Sequence, residues 1–129
     1  MYNTTSIAHT PEQAVQLLDD AFNRGDLCAI LRFYDEHAVV TPMPGVEARG
    51  IDAIRSMFAP MLRPGIRAEQ LTTKVLEADG IALFLSHWTL HAEGECPQHF
   101  TATTVLRKGS DGGWRALIDN ARGPEILDS

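Results

Sequence analysis

Positive charge is in short supply in this chain. Eleven Lys and Arg stand against seventeen Asp and Glu, a net charge of −6 over 129 residues. Phosphate binding needs clustered Lys and Arg, so neither a nucleic acid nor an anionic membrane is an expected partner. Cysteine is scarce too. Cys28 and Cys96 stand far apart and match no metal or redox spacing, so both read as reduced thiols of a cytoplasmic protein. No run of about 18 apolar residues is there to span a bilayer. Nor does an apolar run follow a basic start, as a secretory leader requires. A Gly-x-Ser-x-Gly elbow, a P-loop and a dinucleotide fingerprint are all missing. Nucleophilic hydrolase, NTPase and Rossmann readings therefore get no support, and no cofactor is expected.

What is present predicts one domain over 1–129, with 1–9 and 124–129 as loose termini. A chain of this size buries roughly two-thirds of its unfolded surface and needs no covalent staple. Thr10-Pro11-Glu12-Gln13 is a helix start: Thr10 caps, Pro11 suits the first turn, and Gln13 completes a capping box. Ala14, Leu17, Leu18, Ala21 and Phe22 follow as one apolar stripe. Gly25 ends that helix, and Asp26 caps a second whose buried side is Leu27, Ile30, Leu31 and Tyr34. Residues 38–41 form a short strand stopped by Pro42. A third helix runs from about 51 to 61, with Pro60 disturbing its last turn. Four strands follow, over 67–78, 81–92, 97–108 and 113–121, with Asp79-Gly80 as a tight hairpin signal. Helices followed by an antiparallel meander give an α+β order. Strands of some ten residues coil, and a coiled sheet wraps a concave face around the helices.

The chemistry-bearing residues gather late in the chain. Asp119 and Asn120 end an otherwise apolar strand. A carboxylate at the mouth of a dry pocket serves as general acid or base, and an amide beside it steadies a developing oxyanion. Adjacent strand residues face opposite sides, so register decides which of the two looks inward. A two-residue turn at Asp111-Gly112 sets Asp119 opposite Thr104; a three-residue turn through Gly113 sets Asn120 there and puts Trp114 and Ile118 on the inner side. The sequence leaves both open. Tyr34, Phe58, Phe84, Trp88 and Phe100 fall on inward faces, as core or as cavity wall. The candidate substrate-binding residues are Tyr34, Phe58, Trp88, Phe100, Thr104 and His87. His87 and His91 share a strand face but lie roughly 13 Å apart, too far for one ion. His91, His99 and Glu93 form a cluster that a solvated hairpin tip also explains, and no metal site is assigned.

Some of these stretches have a familiar order. FNRGDLCAILRFYDEHAVV resembles the helix–helix–strand opening of the nuclear-transport-factor-2-like superfamily, which includes SnoaL-like cyclases and ketosteroid isomerases. RGIDAIRSMF resembles its third helix. ALFLSHWTL and TATTVLRKGSDGGWRALIDNARG are similar to the strands of a SnoaL-like subgroup, so the resemblance spans roughly residues 10–123. It implies a cone-shaped, curved antiparallel sheet wrapped around three N-terminal helices, a cystatin-like α+β barrel. An apolar pocket for a small apolar molecule and a homodimer formed through the sheet come with it. Cofactor-free proton transfer, cyclisation or dehydration is the implied chemistry, with a non-catalytic binding or dimerisation module as the alternative. The isomerase pattern itself is not met. It requires a carboxylate just before Pro42, where Thr41 stands, and a Tyr seven residues before Gly25, where Leu18 stands. Thr104 and Ala121 also depart from the subgroup, which commonly has Glu and Pro there.

Overall fold

The computed structural model describes residues 7–128. Its first helix, α1 (Pro11–Asn23), starts at Thr10, whose Oγ1 accepts the Gln13 N–H at 3.0 Å. The Gln13 side chain reaches back one residue further than in a standard capping box, to the His9 N–H at 2.6 Å. Gly25, at φ +72°, makes the left-handed turn out of α1. Asp26 then caps α2 (Leu27–Arg32) by accepting the Ala29 N–H at 3.1 Å. This helix is shorter than its apolar spacing predicts. Tyr34 leaves it and opens β1 (Tyr34–Met43).

Pro42 does not stop β1, because it lies inside a register shift between Val40 and Met43, where no ladder bond needs its missing N–H. Beyond Gly45, at φ +82°, the chain folds back as β2 (Val46–Arg49), a strand the sequence reading did not foresee. The third helix, α3 (Ile51–Phe58), gives way at Pro60 to a 3-10 turn over Ala59–Met61. The long strands are β3 (Ile66–Ala78), β4 (Ile81–Ala92), β5 (Gln98–Lys108) and β6 (Trp114–Asn120). Positive φ at both Asp79 and Gly80 marks the tight β3–β4 hairpin.

The strands form one six-stranded sheet in the order β2-β1-β6-β5-β4-β3. All neighbours are antiparallel except β1 and β6, which pair in parallel and bring the first strand beside the last. The sheet curves but stays open, with β2 and β3 as its edges. The side chain of Asn23 covers part of the β3 edge: it donates to the Ala68 carbonyl at 2.9 Å and accepts the Ala68 N–H at 2.7 Å, as a neighbouring strand would. Two of the sheet's register shifts, in β3 and β6, change the facing of side chains. In β3, Gln70 pairs with Trp88 and Thr72 with His87, leaving Leu71 unpaired. In β6, Ala116 pairs with Leu106 and Ile118 with Val105, leaving Leu117 unpaired.

Helices pack on the concave face in two apolar groups. One joins Phe22, Ile30, Tyr34, Val40, Ile54 and Phe58; the other joins Ala8, Ala14, Phe33, Phe84, Leu106 and Trp114. Ala8 is buried and accepts the Trp114 N–H at 2.9 Å, while residues 1–6 and 129 lie outside the described part. The tail, expected to be extended, forms a 3-10 segment over Gly123–Asp128 with Gly123 buried. Cys28 and Cys96 are both free and exposed. Among the described residues no helix is long and apolar enough to cross a membrane.

Candidate functional site

Between the helices and the concave face of the sheet lies a cavity of about 370 Å3. Its wall is mostly hydrocarbon and aromatic. Val15, Leu18 and Phe22 come from α1, Met57 and Phe58 from α3, and Phe84, Trp88, Phe100 and Leu106 from the sheet. The charged side chains on it, among the described residues, are Asp19, Asp119 and Arg122.

The β6 bulge decides which end-of-strand residue belongs to the cavity. Near the turn, Lys108 pairs with Trp114 and Leu106 with Ala116, so Trp114 and Ala116 face inward. Strict alternation from there would bring in Ile118 and Asn120. The unpaired Leu117 shifts the alternation by one residue. Asp119 now pairs with Thr104 and lines the cavity, while Ile118 points outward and is exposed. The far half of the strand thus has the register of a two-residue turn, with Asp119 opposite Thr104, while the half next to the turn has Trp114 inward, as a three-residue turn would, but pairs it with Lys108, a register that neither turn gives.

Asp119 is held on two sides. Tyr34 Oη donates to its Oδ2 at 2.5 Å, and Thr104 Oγ1 donates to its Oδ1 at 3.3 Å. Tyr34 sits at the start of β1 because Phe33 closes α2, and its ring is tilted against Phe58 at 5.8 Å. Burial raises the proton affinity of the Asp119 carboxyl, and the Tyr34 and Thr104 bonds offset only part of that rise. The same burial, with Asp119 beside it, pushes the Tyr34 phenol well above its ordinary value. At neutral pH the phenol is a fixed donor.

Asp19, which the sequence reading passed over, is a second acid on the wall. It lies on α1 among Val15, Leu18 and Phe22, and its Oδ2 accepts Gln70 Nε2 from β3 at 2.8 Å. Burial pushes its carboxyl up to about 7, with the Gln70 bond opposing and Asp119 adding to the rise. Its signal in the sequence is positional. Residues 15, 18, 19 and 22 make one helical stripe, and a carboxylate interrupts it. At the cavity mouth Arg122 lies over the Phe100 ring at 4.4 Å and pairs with Glu125 at 3.9 Å. Beside it, Trp88 packs on Phe100 at 5.0 Å and donates its indole N–H to the Ala121 carbonyl at 2.7 Å.

Tyr34, Phe58, Trp88, Phe100, Thr104 and Asp119 thus share one cavity. Asn120 and His87 do not. Asn120 faces the other side of the sheet, where its amide donates to Thr103 Oγ1 at 3.1 Å and to the Gly123 carbonyl at 3.0 Å. It fastens the C-terminal 3-10 segment, and the role of oxyanion partner is corrected accordingly. His87 stands on the convex face, bonded to Thr101 Oγ1 at 3.0 Å, because it pairs across from Thr101 one residue out of step with Trp88. His91 pairs with Glu69 and His99 with Thr89, so the histidines of β4 and β5 do not converge. Leu18, Val40 and Pro42 line the wall with hydrocarbon, near where an isomerase would place its Tyr and base.

Comparison with known proteins follows the same lines. The profile of the SnoaL-like domain matches residues 14–117. Among solved structures, a candidate calcium/calmodulin-dependent protein kinase type II association domain from Thiobacillus denitrificans superposes with a TM-score of 0.79 at 20% identity, covering 90% of this chain and 96% of its own. A candidate dehydratase of the NTF2-like family from Streptomyces avermitilis gives 0.74 at 20% identity, with 86% and 91% covered. A candidate ketosteroid isomerase from Parabacteroides distasonis gives 0.70 at 20% identity, with 96% of each chain covered. At such identities the likeness is one of fold. No protein with a curated description matches the chain.

Proposed function

The chain belongs to the SnoaL-like domain family, and from that premise we propose that its cavity binds a small apolar molecule and moves a proton on it without a cofactor. The observation that carries this reading is the Asp119 carboxyl in an apolar wall, bonded to Tyr34 Oη at 2.5 Å. Asp119 takes a proton from a carbon next to a substrate carbonyl. It returns that proton to another carbon, or to a departing hydroxyl that leaves as water. The first outcome is an isomerisation and the second a dehydration. Burial raises the proton affinity of the carboxyl, which brings it closer to the operating pH than a solvated acid would be. Tyr34 and Thr104 hold it in one orientation. Trp88, Phe100 and Phe58 form the walls against which a flat substrate lies.

The test uses deuterium. A panel of small cyclic ketones is incubated with the protein in D2O, and deuterium uptake at the carbon beside the carbonyl is followed by NMR. Uptake above the buffer rate is expected, reduced by roughly 100-fold or more in Asp119→Asn. Ketones that bind without exchange would instead favour a non-catalytic binding module.

The convex face supports a second copy of the chain as partner. Cross-strand pairing lines up Leu76, Leu83, Val105, Ile118 and Val39 in one apolar row over five strands. Leu76 is 61% exposed, Leu83 37% and Ile118 48%, a continuous patch where isolated apolar residues would need no explanation. A homodimer formed through this row is the assembly we propose.

A further inference from the structure

The polar groups of the cavity wall are unevenly used. Tyr34 and Thr104 direct their hydroxyl protons at Asp119, and Trp88 directs its N–H at the Ala121 carbonyl. Three of the wall's donors are therefore engaged within the protein. One acceptor is not. Among the described residues Gln70 Oε1 is buried without a hydrogen-bond partner, and the Gln70 amide nitrogen beside it bonds Asp19. An orphaned buried acceptor keeps its desolvation penalty uncompensated, so a group that satisfies it has a built-in advantage. The one cationic side chain on the wall among the described residues, Arg122, lies over Phe100 and pairs with Glu125. Nothing positive faces Asp19 across the cavity among the described wall residues.

We propose that the Asp19–Gln70 corner binds the protonated amine of a ligand whose remaining body is apolar and fills the aromatic part of the cavity. An ammonium supplies up to three N–H donors and a positive charge. The Asp19 carboxylate takes the charge and one donor, and Gln70 Oε1 takes another. A neutral alcohol of the same shape has one donor and no charge, so it satisfies the corner poorly. At about 370 Å3 the cavity is at the small end of ligand pockets, which fits a body of one or two fused rings. The inference rests on the reading of the cavity as a pocket for a small apolar molecule, but not on catalysis at Asp119.

Calorimetric titration with 2-naphthylmethylamine and with 2-naphthylmethanol tests it at pH 8. The amine should bind roughly 10- to 100-fold more tightly than the alcohol. Asp19→Asn keeps the side-chain shape and the oxygen that accepts from Gln70; it should erase the preference while leaving alcohol affinity unchanged. Asp119→Asn should leave the preference in place. A second readout needs no variant. At pH 6.5 amine binding should release protons, seen as a binding enthalpy that changes with the buffer, because the ammonium drives the Asp19 proton off. Equal affinity for the two ligands, a preference that survives Asp19→Asn, or binding without proton release would each overturn the assignment while leaving the pocket intact. Failure of both ligands to bind would overturn the pocket reading itself.

Discussion

Replacing Asp19 by Asn has an effect on stability that can be worked through in advance. The Asp19 carboxyl is pushed from 3.8 up to about 7 by burial in the folded protein. The unfolded chain therefore gives up this proton above about pH 4, while the folded protein keeps it until about pH 7. Between those limits the folded state holds the extra proton, so stability falls as pH rises, by about 1.4 kcal/mol for each pH unit. Across the window the loss comes to about 4 kcal/mol, a large share of the 5–15 kcal/mol typical of a domain. Asn does not titrate and still accepts the Gln70 N–H. The variant should thus gain on the wild type from about pH 4 to about pH 7, level off above that, and surpass it in the upper part of the range. Urea unfolding followed by fluorescence of Trp88 and Trp114 at several pH values measures the difference directly. Groups that titrate in both proteins, such as the Asp35–Arg107 and Asp111–Arg115 pairs, largely cancel in that comparison. A gap between the two proteins that stays constant with pH would refute the argument, because it would mean that Asp19 ionises alike in the folded and unfolded chains.

Two other substitutions probe different parts of the molecule. Gly123 sits at φ +53°, and a Cβ there would come within 2.5 Å of the Thr101 carbonyl oxygen; Gly123→Ala should cost about 1–3 kcal/mol in urea unfolding, from strain and from loosening the tail. Ile118→Asp places a charge in the middle of the convex apolar row, and sedimentation should show a dimer converted to monomer with the far-UV spectrum unchanged. A wild-type monomer at micromolar concentration would end the dimer reading.

The legible parts of this fold were those written in adjacent residues. Thr10-Pro11, Gly25-Asp26 and Asp79-Gly80 each act through a cap or turn only a few residues long, and the elements they bound came out within a residue or two. The cavity aromatics were legible for a similar reason: alternation along β4 and β5 carries Trp88 and Phe100 to one face. What escaped depends on contacts between distant segments. Pairing with β6 extended β1 back to Tyr34, and the pairing of Met43 with Val46 of β2 carried it through Pro42, which local rules had treated as a stop. Asp19 was passed over, since only the approach of Gln70 from β3, 51 residues away, shows it to be enclosed. The facing of Asp119 turned on Leu117, and nothing in the local composition marks that residue as the unpaired one.

That unpaired leucine makes the chemistry of the cavity a matter of counting. Were Leu117 to take a regular place in the ladder, alternation would run unbroken from Trp114 and present the amide of Asn120 to the cavity in place of the acid. Delete the residue instead, and the strand loses its bulge while Asp119 stays inward. The wall can therefore change from ionisable to neutral by a slip of the ladder alone, with every side chain needed for either version already encoded side by side. Sequence comparison at positions 119 and 120 would miss the change, since the Asp-Asn pair would read as intact in both.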